Sequence, residues 1–194
     1  MTRQLRSAAG VLIVALSACS SAPTRYYTLT AVAPAVDVAL PVSIVVGPLT
    51  LPAAVNTARI VLNVGANEVR PDEFNRWAAP LQEGIAQALA GDLSRTLGTE
   101  RVTLATDALG ATADYRVSID VQRFDSVLDD AATLEAIWTV RRQADGHLEQ
   151  GRTTRRESAT GGGIGGLASA HSRALAQLGA DIAAAIRSSY QAAR

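Results

Sequence analysis

Tyr115-Arg116-Val117-Ser118-Ile119-Asp120-Val121-Gln122 places Tyr115, Val117, Ile119 and Val121 in strict alternation with polar neighbours. A period of two belongs to a strand with one buried and one wetted face. Leu134, Ala136, Trp138 and Val140 repeat the pattern against Thr133, Glu135, Thr139 and Arg141, with Ile137 as the exception. A turn over 125–131 joins the two runs, and Asp145-Gly146 leads into a third run from His147 to Glu157. Residues 114–157 therefore read as a three-stranded antiparallel meander with one apolar face.

That face needs a cover, and the sequence offers two helices for it. Leu81, Ile85, Leu89, Leu93 and Leu97 recur every four residues behind Pro80, which suits a first helical turn, and Gly98 suits the C-terminal cap. After a break at Gly161–Gly166, a second helix runs from Leu167 to about Ala192, with Leu167, His171, Leu175, Leu178, Ile182 and Ile186 at spacings of three and four. Shorter strand signals lie upstream: Tyr26–Thr30, Val42–Val46 closed by Gly47-Pro48, Arg59–Val64 turning at Gly65-Ala66-Asn67 into Glu68-Val69-Arg70, and Arg101–Ala105. The expected fold class is α+β: a largely antiparallel or mixed sheet of about six strands with two long helices packed on one face. Burying ten to twelve large aliphatic side chains at about 1.5–3 kcal/mol each would offset much of the chain entropy, so stability calls for no metal or disulfide.

The amino terminus carries a different message. Arg3 and Arg6 precede an apolar run, Ala8 to Leu16, which ends in Leu16-Ser17-Ala18-Cys19. That run is too short for a spanning helix, which needs roughly 20 apolar residues, and has the form of a secretory signal. Cys19 is the only cysteine, and its setting resembles a lipobox: aliphatic, small, small, Cys. The expected organisation is a signal peptide over 1–18, a lipidated tether over 19–25 and a single periplasmic domain over 26–194. In proteins with such a signal, Cys19 would carry a diacylglyceryl group on sulfur and an N-acyl chain, palmitate for example, and no other cofactor is expected. Ser20 in place of aspartate after the cysteine implies an outer-membrane address, facing the periplasm. Without the signal, about 176 residues remain, enough for one domain. The chain carries 18 basic and 18 acidic residues, which gives nucleic acid no electrostatic lure.

Chemical motifs are scarce. Gly161–Ala168 contains a G-x-G-x-x-A match, but no strand follows to complete a βαβ unit and no acidic residue is placed for a ribose. His147 and His171 are the only histidines and lack metal-ligand spacing. No G-x-S-x-G elbow is present, and a serine nucleophile would have to recruit a histidine from far away in sequence. Asp125, Asp129 and Asp130 read as a solvated turn. Arg141, Arg142, Arg155 and Arg156 lie on neighbouring strands, where they form either a basic patch for headgroups or an acidic partner, or ordinary pairs with Glu135, Glu149 and Glu157. No catalytic residue is expected, and the reading is non-enzymatic.

Together the lipobox, Tyr26-Tyr27-Thr28-Leu29, Val46-Gly47-Pro48-Leu49-Thr50-Leu51-Pro52 and Phe74-Asn75-Arg76-Trp77-Ala78-Ala79-Pro80-Leu81 resemble the PqiC/YmbA family. These are auxiliary lipoproteins of ABC-type transport and MCE systems. The resemblance implies an outer-membrane lipoprotein that works with a PqiB-like MCE-domain protein anchored in the inner membrane, moving lipids or other hydrophobic molecules between the membranes. It also allows homo-oligomerisation, and brings no catalytic motif. Arg76 and Trp77 become candidate partner contacts, with burial under the first helix as the competing role for Trp77. Two alternatives remain open at this stage, a lipid-carrying periplasmic binding protein and an envelope assembly or regulatory lipoprotein.

Overall fold

The run that begins at Tyr115 becomes the middle strand of a five-stranded sheet. The structure, a computed structural model, describes residues 23–106 and 112–194. In chain order the elements are β1 (Arg25–Tyr27), β2 (Ile44–Thr50), β3 (Arg59–Gly65), β4 (Glu68–Trp77), α1 (Leu81–Leu97), β5 (Val102–Leu104), β6 (Tyr115–Val127), β7 (Ala131–Arg142), β8 (Leu148–Ser158) and α2 (Gly163–Ala192). The large sheet has the order β5-β2-β6-β7-β8, and a smaller sheet the order β1-β4-β3. The fold class is α+β, as the sequence predicts.

β6, β7 and β8 form the antiparallel meander, paired from Tyr115 opposite Arg142 to Val127 opposite Ala131 with one register shift between Val121 and Arg123. The strands are longer than their alternation suggests, and the 125–131 turn shrinks to residues 128–130. β2 joins β6 on its other side in parallel, and β5 joins β2 in parallel. The sheets are therefore mixed. Gly47-Pro48 does not end β2: the strand runs through it with a register shift between Val46 and Leu49. Likewise β4 continues past Arg70 to Trp77, although it carries Pro71. Among the described residues there are eight strands, where the sequence predicts about six.

Both helices pack on one face of the large sheet, α2 mainly over β7 and β8, and α1 over β2 and β5. α1 starts after Pro80 and stops at Gly98, whose φ of 64° is the left-handed cap conformation. α2 begins at Gly163, four residues before the expected start, since the glycine run is itself drawn into the first turn. Between helices and sheet, Ile44, Ile85, Leu89, Leu93, Leu97, Leu134 and the α2 residues Leu167, Leu175, Leu178, Ile182 and Ile186 are fully buried. β2 leaves β6 at Asp120, and β3 packs beside the remainder of β6.

Gly151 on β8 lies beneath the Trp138 indole, and a Cβ there would sit 2.2 Å from the Trp138 ring. Gly151→Ala must push the indole off the sheet, and with it the Trp138 Nε1–H bond to Thr153 Oγ1 at 3.0 Å. A loss of about 1–3 kcal/mol in urea-unfolding free energy is expected from such overpacking.

Candidate functional site

Residues 28–40 form a strap that runs along α1 and touches α2. Asp92 of α1, fully buried, accepts the backbone N–H groups of Val32 and Ala33 through one oxygen, Oδ1, at 2.8 Å each. Arg95 Nε donates to the Ala33 carbonyl at 2.7 Å, the Val36 and Leu40 amides bond the carbonyls of Arg95 and Leu97, and Ser172 Oγ of α2 accepts the Thr30 N–H. Burial pushes the Asp92 carboxyl above its ordinary value, against the pull of those two backbone bonds. Its second oxygen is buried without a partner. The strap therefore ties the amino-terminal arm to the helix layer.

Trp77, the last residue of β4, is buried against Phe124 of β6 and His171 of α2, edge to face at 6.3 Å from each ring centroid. Phe124 and His171 stack with centroids 3.8 Å apart. Trp77 thus closes the core between the small sheet and α2. Arg76 beside it is half-buried, and its Nε has no partner.

A serine does recruit a distant histidine: Ser126 Oγ lies 2.8 Å from His171 Nε2. The pair has the spacing of a nucleophile and base but not their setting. Both residues are sealed in the core, no carboxylate orients Nδ1, and burial pushes the imidazole down to about 3. Such a histidine is a poor proton acceptor at neutral pH. Placing the proton on Nε2 lets it donate to Ser126 and leaves only the Nδ1 lone pair unmatched. The pair packs the core.

This burial has a pH consequence. Folded His171 holds no proton until about 3, whereas the unfolded chain takes one up near 6.5. Stability is untouched by this group above pH 6.5 and falls as pH drops toward 3, by about 1.4 kcal/mol per unit. Asp92, whose folded value is raised, acts in the opposite sense as its carboxyl protonates. At pH 5 the histidine contribution amounts to a loss of about 2 kcal/mol relative to pH 7. Urea unfolding at both pH values should show that gap closing in His171→Gln, whatever the variant's absolute stability.

The four arginines do not form one patch. Arg141 and Arg142 end β7, while Arg155 and Arg156 pair with Leu134 and Thr133 near its start, roughly 25 Å away at about 3.4 Å per residue. Alternation also divides each pair between the two faces. Arg142 turns to the helix side, bonding the Ser189 carbonyl and hydroxyl near the end of α2 and the Asp145 carboxylate, which it holds well below the usual range. Arg155 reaches Asp181 of α2, which also accepts the Thr153 hydroxyl at 2.7 Å. Arg141 and Arg156 are on the opposite face, exposed, with Arg156 paired to Asp130. That face, free of helices, also carries Ile137 and Thr139 at its centre, and an Arg152–Glu135 ion pair.

The three turn aspartates are occupied as well. Asp125 pairs with Arg123, Asp130 with Arg156, and Asp129 accepts the Gly163 N–H that opens α2. No cluster of three or more histidine, cysteine, aspartate or glutamate side chains suited to a metal occurs among the described residues. Cys19, the expected lipidation site, lies outside the described residues. Among the described residues, no helix is long and apolar enough to cross a membrane. The alternation of β7 and β8 could have divided the arginines between faces in advance; the Asp92 clamp and the Ser126–His171 bond join residues 45 to 60 positions apart and left no periodic signal.

The fold is shared with solved structures. A crystal structure of an uncharacterized protein superposes with a TM-score of 0.68 at 20% identity, covering 85% of this chain and 99% of the other. A Xanthomonas campestris protein of family DUF330 gives 0.67 at 17% identity, covering 82% and 93%. A PelC dodecamer from Paraburkholderia phytofirmans is more distant, at 0.42 and 16% identity, covering 76% and 88%. At such identities the likeness is one of fold. No curated protein matches the sequence significantly. The sequence does match the family described as ABC-type transport auxiliary lipoprotein component over residues 27–183, from the end of β1, through the Trp77 core and the meander, deep into α2. A match of that length places the chain in this family, the one its Tyr26-Tyr27 and Arg76-Trp77 segments resemble.

Proposed function

We propose that the protein is a non-catalytic adaptor, anchored in the outer membrane by acylated Cys19 and facing the periplasm, that completes an MCE/ABC-type route for lipids or other hydrophobic molecules between the two membranes. The observation that carries this reading is the family match over 27–183, together with the lipobox that precedes it. The helix-free sheet face, with Ile137 and Thr139 at its centre and arginines around them, offers a surface for the far end of a PqiB-like MCE-domain assembly. The interior of the described fold supports an adaptor over a carrier, because the helix–sheet interface is filled by aliphatic side chains.

One recess keeps the carrier reading in view. An open groove of about 670 Å³ lies between β2 and the start of α1, lined in part by Val46, Pro48, Leu49, Ala86 and Leu104. Organic extraction of the purified mature protein, followed by mass spectrometry, separates the two. An adaptor yields no stoichiometric free lipid, its anchor staying on the protein; a stoichiometric free lipid in the extract would move the assignment to a carrier.

A further inference from the structure

Four apolar side chains stand exposed at one end of the molecule: Val64 (44%) and Val69 (49%) at the β3–β4 turn, and Val127 (38%) and Leu128 (43%) at the β6–β7 turn. The two turns are tied together, for Asn63 Oδ1 accepts the Ser126 N–H at 2.9 Å. β1 fixes where the amino-terminal arm leaves. It runs parallel to β4, with Arg25 beside Asn75 and Tyr27 beside Trp77. Followed back toward the amino terminus, β1 therefore points at the Glu68 end of β4, the same hairpin tip. Cys19 precedes Arg25 by six residues, a reach of at most about 20 Å. The stretch of β4 from Asn75 to Glu68 has a similar length at about 3.3 Å per residue.

We propose that the β3–β4 and β6–β7 turns form a membrane-contacting end, which seats Val64, Val69, Val127 and Leu128 in the headgroup–acyl boundary of the leaflet that holds the Cys19 lipid. The proposal rests on lipidation of Cys19. A tether this short keeps the domain close to the bilayer, and its exit direction selects this end. Four side chains are too few to attach the protein by themselves; beside the anchor they need only orient it. The opposite end, with the β7–β8 turn and the C-terminus of α2 tied by Arg142, then points into the periplasm.

The test uses the full acylated protein in phosphatidylethanolamine/phosphatidylglycerol vesicles. With the Cys19 sulfur occupied, Val69→Cys, Leu128→Cys and Gln150→Cys each offer one thiol for an environment-sensitive fluorophore. Flotation reports attachment, and nitroxide-bearing lipids report contact. The expected result is floated protein in which the Val69 and Leu128 labels are quenched several times more strongly than the Gln150 label. Equal quenching in floated protein overturns the proposal. A tip label shielded from water yet untouched by lipid quencher also overturns it and assigns the tip to a second protein copy. Protein that does not float removes the anchor reading itself, and this proposal with it.

Discussion

Cys19→Ala is expected to move the protein from the membrane fraction to the soluble periplasm while leaving its thermal unfolding unchanged. Each buried acyl methylene contributes about 0.8 kcal/mol, so a diacylglyceryl group with an N-acyl chain holds a protein far more firmly than a single myristoyl group does. Nothing among the described residues replaces that anchor. Four exposed valine and leucine side chains at one end would contribute at most about 1.5–3 kcal/mol each on full burial, and they are only partly exposed to begin with. The fold should be indifferent, because the described chain is tied down by the pairing of β1 with β4 and by the strap along α1. Fractionation of cells expressing the variant, alongside a melt of the purified protein, reads both halves. Retention of Cys19→Ala in the membrane would contradict the anchor.

Asp92→Ala is expected to cost roughly 1–3 kcal/mol, because it leaves the buried Ala33 amide without its acceptor; the Val32 amide, in an exposed residue, adds less. The clamp is local in space but not in sequence: one oxygen in the middle of α1 collects two consecutive N–H groups from a segment without regular structure. Asp92→Asn keeps a carbonyl oxygen at that position and relieves the burial of a charge, so it should retain most of the stability. Urea unfolding of the two variants should rank alanine well below asparagine. Equal losses would mean that charge, and not the hydrogen-bonded acceptor, is what the strap requires.

The sequence shows the meander because β6 and β7 each bury one face, which stamps a period of two on them. It shows α1 because Pro80, a stripe of leucines and Gly98 agree with one another at both ends and along the middle. Other segments carry conflicting signals. Gly47-Pro48 reads as a terminator, yet β2 continues because β6 takes it up again beyond the register shift, at Leu49 and Thr50. Pro71 and the charged run from Glu68 to Arg76 conceal β4, whose outer half is exposed and so needs no apolar alternation. Parallel pairing of β2 with β6 joins residues about 70 apart and has no local signature. The same holds for the candidate site. The lipobox-like run Leu16–Cys19 is contiguous in the sequence, whereas the Asp92 clamp, the sealed Ser126–His171 pair and the apolar tip arise only when residues distant in sequence meet.

The central claim is that this family member completes a route between membranes by docking an MCE-domain protein. Crosslinking the anchored protein in intact cells, then capturing it and identifying its partners by mass spectrometry, tests that most directly. The account predicts recovery of an MCE-domain protein, with an ABC-type permease behind it. Repeated capture of cell-wall or secretion components, with no MCE-domain protein among them, would contradict it and assign the protein to envelope assembly or regulation.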